Sequence, residues 1–372
     1  MNSIVIPPSR LSADGQRIDT EIRVGDEKFG LYFSSDGVQL RPCAEALIAA
    51  TLLVAMKHRM GRIEIDDGVD PEFLAGIEKV QDVFQSWKPN YGRVAILHAG
   101  LKETVPQDGK TGLFFSAGVD SYYSYLIQPE RIDALVHLEG VDLPLENHAF
   151  RRRVQENLAA ISARFSVPIL NIETNIRPFH EKFSNWGFSH GSAMATISHL
   201  LSDDFSEMLI ATSGNPRSRL PYGIHPDLDF NWSSAWMRIE SDSFEVDRIE
   251  KSHFISQFAP VLDTLRVCLR TPTQKLNCGI CEKCMRSMVY LQVTGDYDKY
   301  TVFEQPLDLN RLARYKRIGA PEYDQLYHAL SELEANQRYP ETARVLRKIL
   351  YPPGWKQKLI VSGRKIRKFF SS

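Results

Sequence analysis

Cys268, Cys278, Cys281 and Cys284 follow the spacing C-x9-C-x2-C-x2-C within VCLRTPTQKLNCGICEKCMRS. Four thiolates at this density suit a tetrahedral Zn²⁺ site with metal–sulfur bonds of about 2.3 Å. Four soft ligands leave no coordination position open, which favours a structural over a catalytic metal. Gly279 permits a tight knuckle after Cys278. Cys281 and Cys284 share a face if CEKCMRSMVYL is a helix, because residues three apart are neighbours there. An iron–sulfur cluster is the alternative, since C-x2-C-x2-C also occurs in ferredoxins, whose run continues to a further cysteine and proline that this one lacks. The fifth cysteine, Cys43, adjoins the apolar run AEALIAATLLVAM, where burial raises a thiol pKa and keeps it unreactive.

The second chemical stretch is FFSAGVDSYYS at 114–124. An apolar strand end runs through Ser116, Ala117, Gly118, Val119, Asp120 and Ser121 into YYSYL, which can begin a helix. Gly118 lets the backbone turn tightly and a ligand approach the amides. Ser121 and the first helical N–H groups offer donors at the positive end of a helix dipole. Asp120 repels a bare phosphate but suits a metal-bridged one. The lysine of the Walker loop is missing. A plain strand–turn–helix connection with Asp120 or Ser121 as N-cap is the other reading.

These residues need elements to hold them. From 111 onward, LFF, DALVHL, VPILNIET and EMLIATS read as strands, separated by helices in FRRRVQENLAAISARF and MATISHLLSDDF. Such alternation predicts an α/β domain with a mostly parallel sheet and helices on both faces. Ligands in such folds sit beyond the carboxyl ends of the strands. The turn at 116–121, the segment at His137 and Leu138, and the segment after Ser213 all lie at such ends. Ahead of this, residues 17–34 read as a hairpin, 43–58 as a buried helix and PEFLAGIEKVQDVFQSW as an amphipathic helix. The expected division is an α+β domain at 1–110, a nucleotide domain bearing the cysteines at 111–300, and a helical region at 301–372.

Further candidates lie between the motifs. WGFSHGS at 186–192 reads as a turn before a helix, with Gly191 and Ser192 capping over a nucleotide and His190 near a phosphate. SGNPRSRLPYGIHPDLDFNWSS reads as a loop covering a substrate, with Arg217 or Arg219 meeting an anion. Arg248 and Lys251, one helical turn apart, either point to phosphates or line a solvated face with Glu245 and Glu250. The end of the chain carries Lys356, Lys358, Arg364, Lys365, Arg367 and Lys368 among Trp355, Ile366, Phe369 and Phe370. Such a tail either touches anionic lipid or RNA or is simply solvated.

The balance of 45 basic and 46 acidic residues gives a formal net charge of -1 and no bulk attraction to a polyanion. No secretory signal or membrane-length apolar run is present in the sequence. Clustered cysteines in a chain of 372 residues suggest metal rather than disulfides, as in a soluble cytoplasmic protein.

SAGVDS resembles the SGGxDS signature of the PP-loop, or N-type, ATP pyrophosphatases, with Ala117 in place of the first glycine. Together with the cysteine cluster near the end of the domain, and Arg286 two positions after the last ligand, the layout of residues 111–295 is similar to that of the 7-cyano-7-deazaguanine synthase branch. The resemblance implies an adenine nucleotide alpha hydrolase-like fold and an AMP-forming reaction using ATP, Mg²⁺ and Zn²⁺. It implies that the turn holds departing pyrophosphate, that His137 and Leu138 lie by the adenine and ribose, and that Asp120, Ser121, Arg248 and Lys251 serve catalysis. The acceptor is then a small molecule or modified base activated on a carboxylate or carbonyl oxygen. The nucleophile is ammonia, from solution or a separate glutaminase, since residue 2 is Asn and Cys43 lacks a nucleophile elbow. A thiolating enzyme acting on RNA and a non-catalytic zinc and nucleotide module are the alternatives, and a homo-oligomer is compatible with either.

Overall fold

The computed structural model describes residues 3–103, 108–213, 220–268, 270, 275–314 and 320–351, the side chains of 320–323 excepted. The chain divides into two compact units, Met1–Ser213 with Arg219–Phe244 and Gly214–Ser218 with Glu245–Ser372.

The first unit opens with strands β1 (Ser3–Ile6), β2 (Arg10–Leu11), β3 (Arg17–Val24) and β4 (Glu27–Ser35). The alternation of Ile18, Thr20, Ile22 and Val24 puts one face of β3 inside. The hairpin closes at Gly25, whose φ of 63° lies in the left-handed region glycine adopts without strain. Helix α1 (Ala44–Lys57) is apolar on all sides and accordingly buried along almost its whole length. Strand β5 (Arg62–Val69) follows, and then α2 (Pro71–Trp87), started by Asp70 accepting from the Phe73 amide at 2.8 Å. Strand β6 (Ala95–Leu101) completes a parallel three-stranded sheet in the order β1-β5-β6.

The larger sheet draws mostly on the middle of the chain, which runs through β7 (Lys110–Phe114), α3 (Val119–Leu126), β8 (Ala134–Glu139), α4 (His148–Phe165), β9 (Ile169–Thr174), α5 (Ile176–Phe183), α6 (Trp186–Leu200), β10 (Phe205–Ala211) and β11 (Arg238–Asp242). The eight strands lie in the order β11-β10-β7-β8-β9-β4-β3-β2. The first five are mutually parallel, while β4 joins β9 antiparallel with Phe33 opposite Thr174. The fold is therefore α/β with a parallel three-stranded sheet and a mixed eight-stranded one.

The boundary expected at residue 110 is not where the chain divides. The hairpin β3–β4 is covalently N-terminal but structurally a continuation of the larger sheet, because β9 offers it an open edge. The boundary expected at 300 moves as well, to Glu245, so the cysteines belong with the C-terminal helices. That second unit contains α7 (Arg248–Ile255), α8 (Ala259–Leu262), α9 (Glu282–Thr294), α10 (Leu309–Ala313), α11 (Ala320–Ala335) and α12 (Pro340–Leu350). Among the described residues no helix is long and apolar enough to cross a membrane.

Candidate functional site

From β9 to β11 the parallel strands run third, second, first, fourth, fifth in chain order. Successive strands leave β7 on one side and β10 on the other, so the winding reverses between these neighbours. A crevice opens at the carboxyl ends of strands at such a reversal. The turn at 116–121 leaves the carboxyl end of β7 and so borders it.

Within the turn, exposure alternates. Ser116, Gly118 and Asp120 are half-exposed, while Ala117, Val119 and Ser121 are buried. The N-cap of α3 is Gly118, with no side-chain capping bond, so neither Asp120 nor Ser121 has that role. The Ser121 hydroxyl instead ties the turn together, accepting from the Ser116 amide at 3.3 Å and donating to the Gly118 carbonyl at 3.2 Å. The first helical bond runs from Tyr122 N to Gly118 O at 3.0 Å. The amides ahead of it are those a helix cannot satisfy for itself. Ala117 has a φ of 58°, a left-handed conformation that costs an alanine roughly 1–2 kcal/mol. Its side chain nevertheless fills the core, at 1% exposure.

His137 stands beside this turn on β8, buried, with Nδ1 3.0 Å from the Phe115 carbonyl. Leu138 is buried next to it. The segment 186–192 is not a turn before a helix, because it forms the first two turns of α6. Gly191 sits inside that helix, where a Cβ would fall 1.9 Å from the Gly223 carbonyl oxygen. Its small size serves close packing rather than capping. Burial pushes His190 down to about 4, so its imidazole is neutral at pH 7. It lies against the Tyr222 ring at 4.4 Å.

The expected covering loop is largely anchored. The Gly223 amide donates to Gly187 O at 2.9 Å, and Leu228, Asp229 and Trp232 are wholly buried. Burial raises the Asp229 carboxyl to about 7, opposed by the Ser241 hydroxyl and the His225 amide that Oδ2 accepts. Its Oδ1 is buried without a hydrogen-bond partner. Arg217 and Arg219, like the basic tail, lie outside the described residues. In the second unit, Arg248 opens α7 half-buried, capped by Asp247. Lys251 is wholly buried one turn on, so the two do not form a solvated face.

The four cysteines do come together. Their Sγ atoms all lie within 4.8 Å of one another and all four residues are buried. Separations are 3.5 Å for Cys268–Cys278, 3.8 Å for Cys268–Cys281 and 3.9 Å for Cys278–Cys284. A single tetrahedral ion with bonds of about 2.3 Å spaces its sulfurs about 3.8 Å apart, so the cage fits one Zn²⁺-sized ion. A multi-iron cluster needs wider spacing. The adjacent Cys281 thiol pushes Cys268 up to about 12, and Cys268 and Cys281 push Cys284 up too. Cys268 and Cys284 are thus held towards the thiol form, and a coordinated divalent cation would favour the thiolate instead. Gly279 has a φ of 74°, and Cys281 is the N-cap of α9 with Cys284 one turn in. The Cys281 amide donates to Cys278 Sγ and the Arg270 amide to Cys268 Sγ, each at 3.3 Å.

Cys43 is 4% exposed, and burial lifts its thiol to about 12. Sequence spacing passed over Asn277, whose side chain joins the cage segments. The one signal for it was an amide flanked by Leu276 and Cys278 in an otherwise apolar step. Comparisons with protein-family models, with curated proteins and with solved structures find no match for this chain.

Proposed function

We propose that the chain is an ATP-dependent, AMP-forming ligase of the PP-loop type, with an adenine nucleotide alpha hydrolase-like core covered by helices on both faces. The observation that carries this reading is the turn at 116–121 leaving β7 where the winding reverses. Its half-exposed Ser116, Gly118 and Asp120 and the first amides of α3 suit the oxygens of a pyrophosphate. An acceptor carboxylate or carbonyl oxygen attacks the α-phosphorus; the bond from that phosphorus to the β-bridging oxygen breaks, and pyrophosphate leaves. Ammonia then adds to the activated carbon, gives up its proton to solvent, and AMP departs with the acceptor oxygen. The Ser121 hydroxyl holds the turn in shape, Asp120 would hold Mg²⁺, and His137 and Leu138 border the adenine and ribose. Bound Mg²⁺ would supply neutralisation of phosphate charge. The cysteine cage takes Zn²⁺ as a structural ion, and its reduced thiols fit a cytoplasmic setting. The inert Cys43 favours nitrogen over sulfur as the transferred atom, since it is no persulfide carrier.

The test is to incubate the protein with ATP, Mg²⁺, ammonium and a metabolite extract and quantify nucleotide products. Acceptor-dependent AMP with pyrophosphate is expected, falling at least ~100-fold in Asp120→Ala, with zinc content unchanged. ADP with phosphate as the stoichiometric products would remove the reading.

A further inference from the structure

Three of the four cage sulfurs are placed by their own local chain. Cys278 precedes the Gly279 turn, Cys281 caps α9, and Cys284 follows one turn later. Cys268 comes from a separate segment, and the fourth corner of the cage depends on how that segment is held.

Asn277 holds it. The residue is fully buried. Its Oδ1 accepts from Val267 N at 2.7 Å and Cys268 N at 3.1 Å. Its Nδ2 donates to Leu265 O at 2.8 Å and Val302 O at 3.4 Å. Its main chain donates to Val302 O at 3.2 Å and accepts from Glu304 N at 2.7 Å. One amide group therefore uses both its oxygen and its nitrogen to lock residues 265–268 onto the residue beside Cys278, with residues 302–304 as the third wall. Leucine has neither function, aspartate lacks the donor, and glutamine is a methylene too long for the same pair of backbone bonds.

We propose that Asn277 is the positioning residue of the metal centre, delivering Cys268 as the fourth thiolate. This inference rests on the reading of the cage as a zinc site. Without the clamp, Cys278, Cys281 and Cys284 still bind metal, and the fourth position opens to water.

The experiment uses the full chain loaded with zinc. Wild type, Asn277→Ala, Cys268→Ser and the double variant are compared by chelator competition and by iodoacetamide labelling read by mass spectrometry. In Asn277→Ala, zinc affinity is expected to fall about 10–100-fold. Cys268 becomes alkylated while the other three cysteines stay protected. The double variant binds no more weakly than Cys268→Ser, since both changes remove the same ligand. Tyr290→Phe, which removes the 2.9 Å bond to Gln325 in the same unit, is expected to leave affinity and labelling unchanged. Asn277→Ser keeps a short acceptor and is expected between wild type and Asn277→Ala, and it carries the test if the alanine variant is insoluble. Wild-type affinity with all four cysteines protected would overturn the proposal. So would multiplicative losses in the double variant, or uniform labelling of all four cysteines matched by Tyr290→Phe. Failure of wild type itself to take up zinc would instead overturn the metal reading, and the clamp with it.

Discussion

The turn at 116–121 and the knuckle at 278–281 each place one residue in the left-handed region, Ala117 at φ 58° and Gly279 at φ 74°. Their supports differ. The turn hangs between a central strand and a helix and is shaped by backbone hydrogen bonds and the Ser121 hydroxyl. The knuckle belongs to a cage assembled from separated segments around four sulfurs spaced to hold a metal ion. Regular elements on both sides let the turn tolerate an imperfect residue, because the strain of Ala117 is offset elsewhere. Relieving that strain with glycine regains about 1–2 kcal/mol. It also gives up about 0.8 kcal/mol for the buried methyl and about 0.4–1 kcal/mol of unfolded-state entropy. The knuckle has no such latitude, since a Cβ on Gly279 would meet the Gln305 carbonyl oxygen at 2.0 Å.

The sharpest way to break this comparison is to take the cation away. Cys281→Ser is expected to destabilise the second unit by several kcal/mol, because metal-binding energy is folding energy in such sites. The first unit should unfold as before. Among the described residues every tryptophan (Trp87, Trp186, Trp232 and Trp236) lies in the first unit. In a Trp355→Phe background tryptophan emission therefore reports that unit, and zinc release to a dye reports the other. Equal loss in both signals would mean that the cage supports the whole molecule.

The units should next part company with pH. The folded Asp229 carboxyl is raised from 3.8 to about 7 by burial. Between those values the native state holds a proton that the unfolded chain has released. Asp229 by itself therefore makes stability of the first unit fall as pH rises from about 4 to 7, by about 4 kcal/mol over the full span. The buried histidines His180, His190 and His199, whose pKa values burial lowers, make it rise up to about pH 6.5. The zinc-loaded cage moves oppositely to the Asp229 contribution, because its ligands bind as thiolates and are favoured by rising pH. Asp229→Asn should remove the falling contribution, so that the first unit gains stability relative to wild type as pH rises from 5 to 8 while the second is untouched, as read by denaturant midpoints at pH 5, 6, 7 and 8. A difference between Asp229→Asn and wild type that stays constant from pH 5 to 8 would show that Asp229 does not titrate in this range.

Smaller effects test the turns directly. Gly279→Ala is expected to cost about 3 kcal/mol in the second unit, combining left-handed strain with a forced backbone shift. Ala117→Gly should change the first unit by less than ~1 kcal/mol, as the three opposing terms nearly cancel. Chemical denaturation of the two variants measures both, and a reversed ranking would show that the strand–helix support is weaker than the cage.

Much of the first unit was legible because its elements are periodic. PEFLAGIEKVQDVFQSW is α2 from its first residue to its last, and the strands and helices named from 111 to 211 are present within a few residues, except that the helix read from Met194 begins at Trp186 and ends at Leu200. Edges were harder to see. β11, reading RIESD, has one neighbour and little apolar alternation, and the pairing of β4 with β9 leaves no mark in either strand. Gly191 and His190 looked like turn chemistry because the reason for a mid-helix glycine is the distant Gly223 backbone. The cysteine spacing foretold that four sulfurs converge. It did not foretell Asn277, because a clamp acts through hydrogen bonds to residues scattered along the chain.

The junction of β4 with β9 has a consequence for how the molecule is made. Tyr32 donates its amide to the Asn175 side chain, 143 residues away in the chain. At about 5–20 residues per second of synthesis, the β3–β4 hairpin leaves the ribosome roughly 7–30 s before its partner strand exists. During that interval its free edge and the apolar face carrying Ile18 and Ile22 are open to other chains. Closing so long a loop also slows folding, which makes the first hundred residues the stretch where nascent-chain binding by a chaperone matters most.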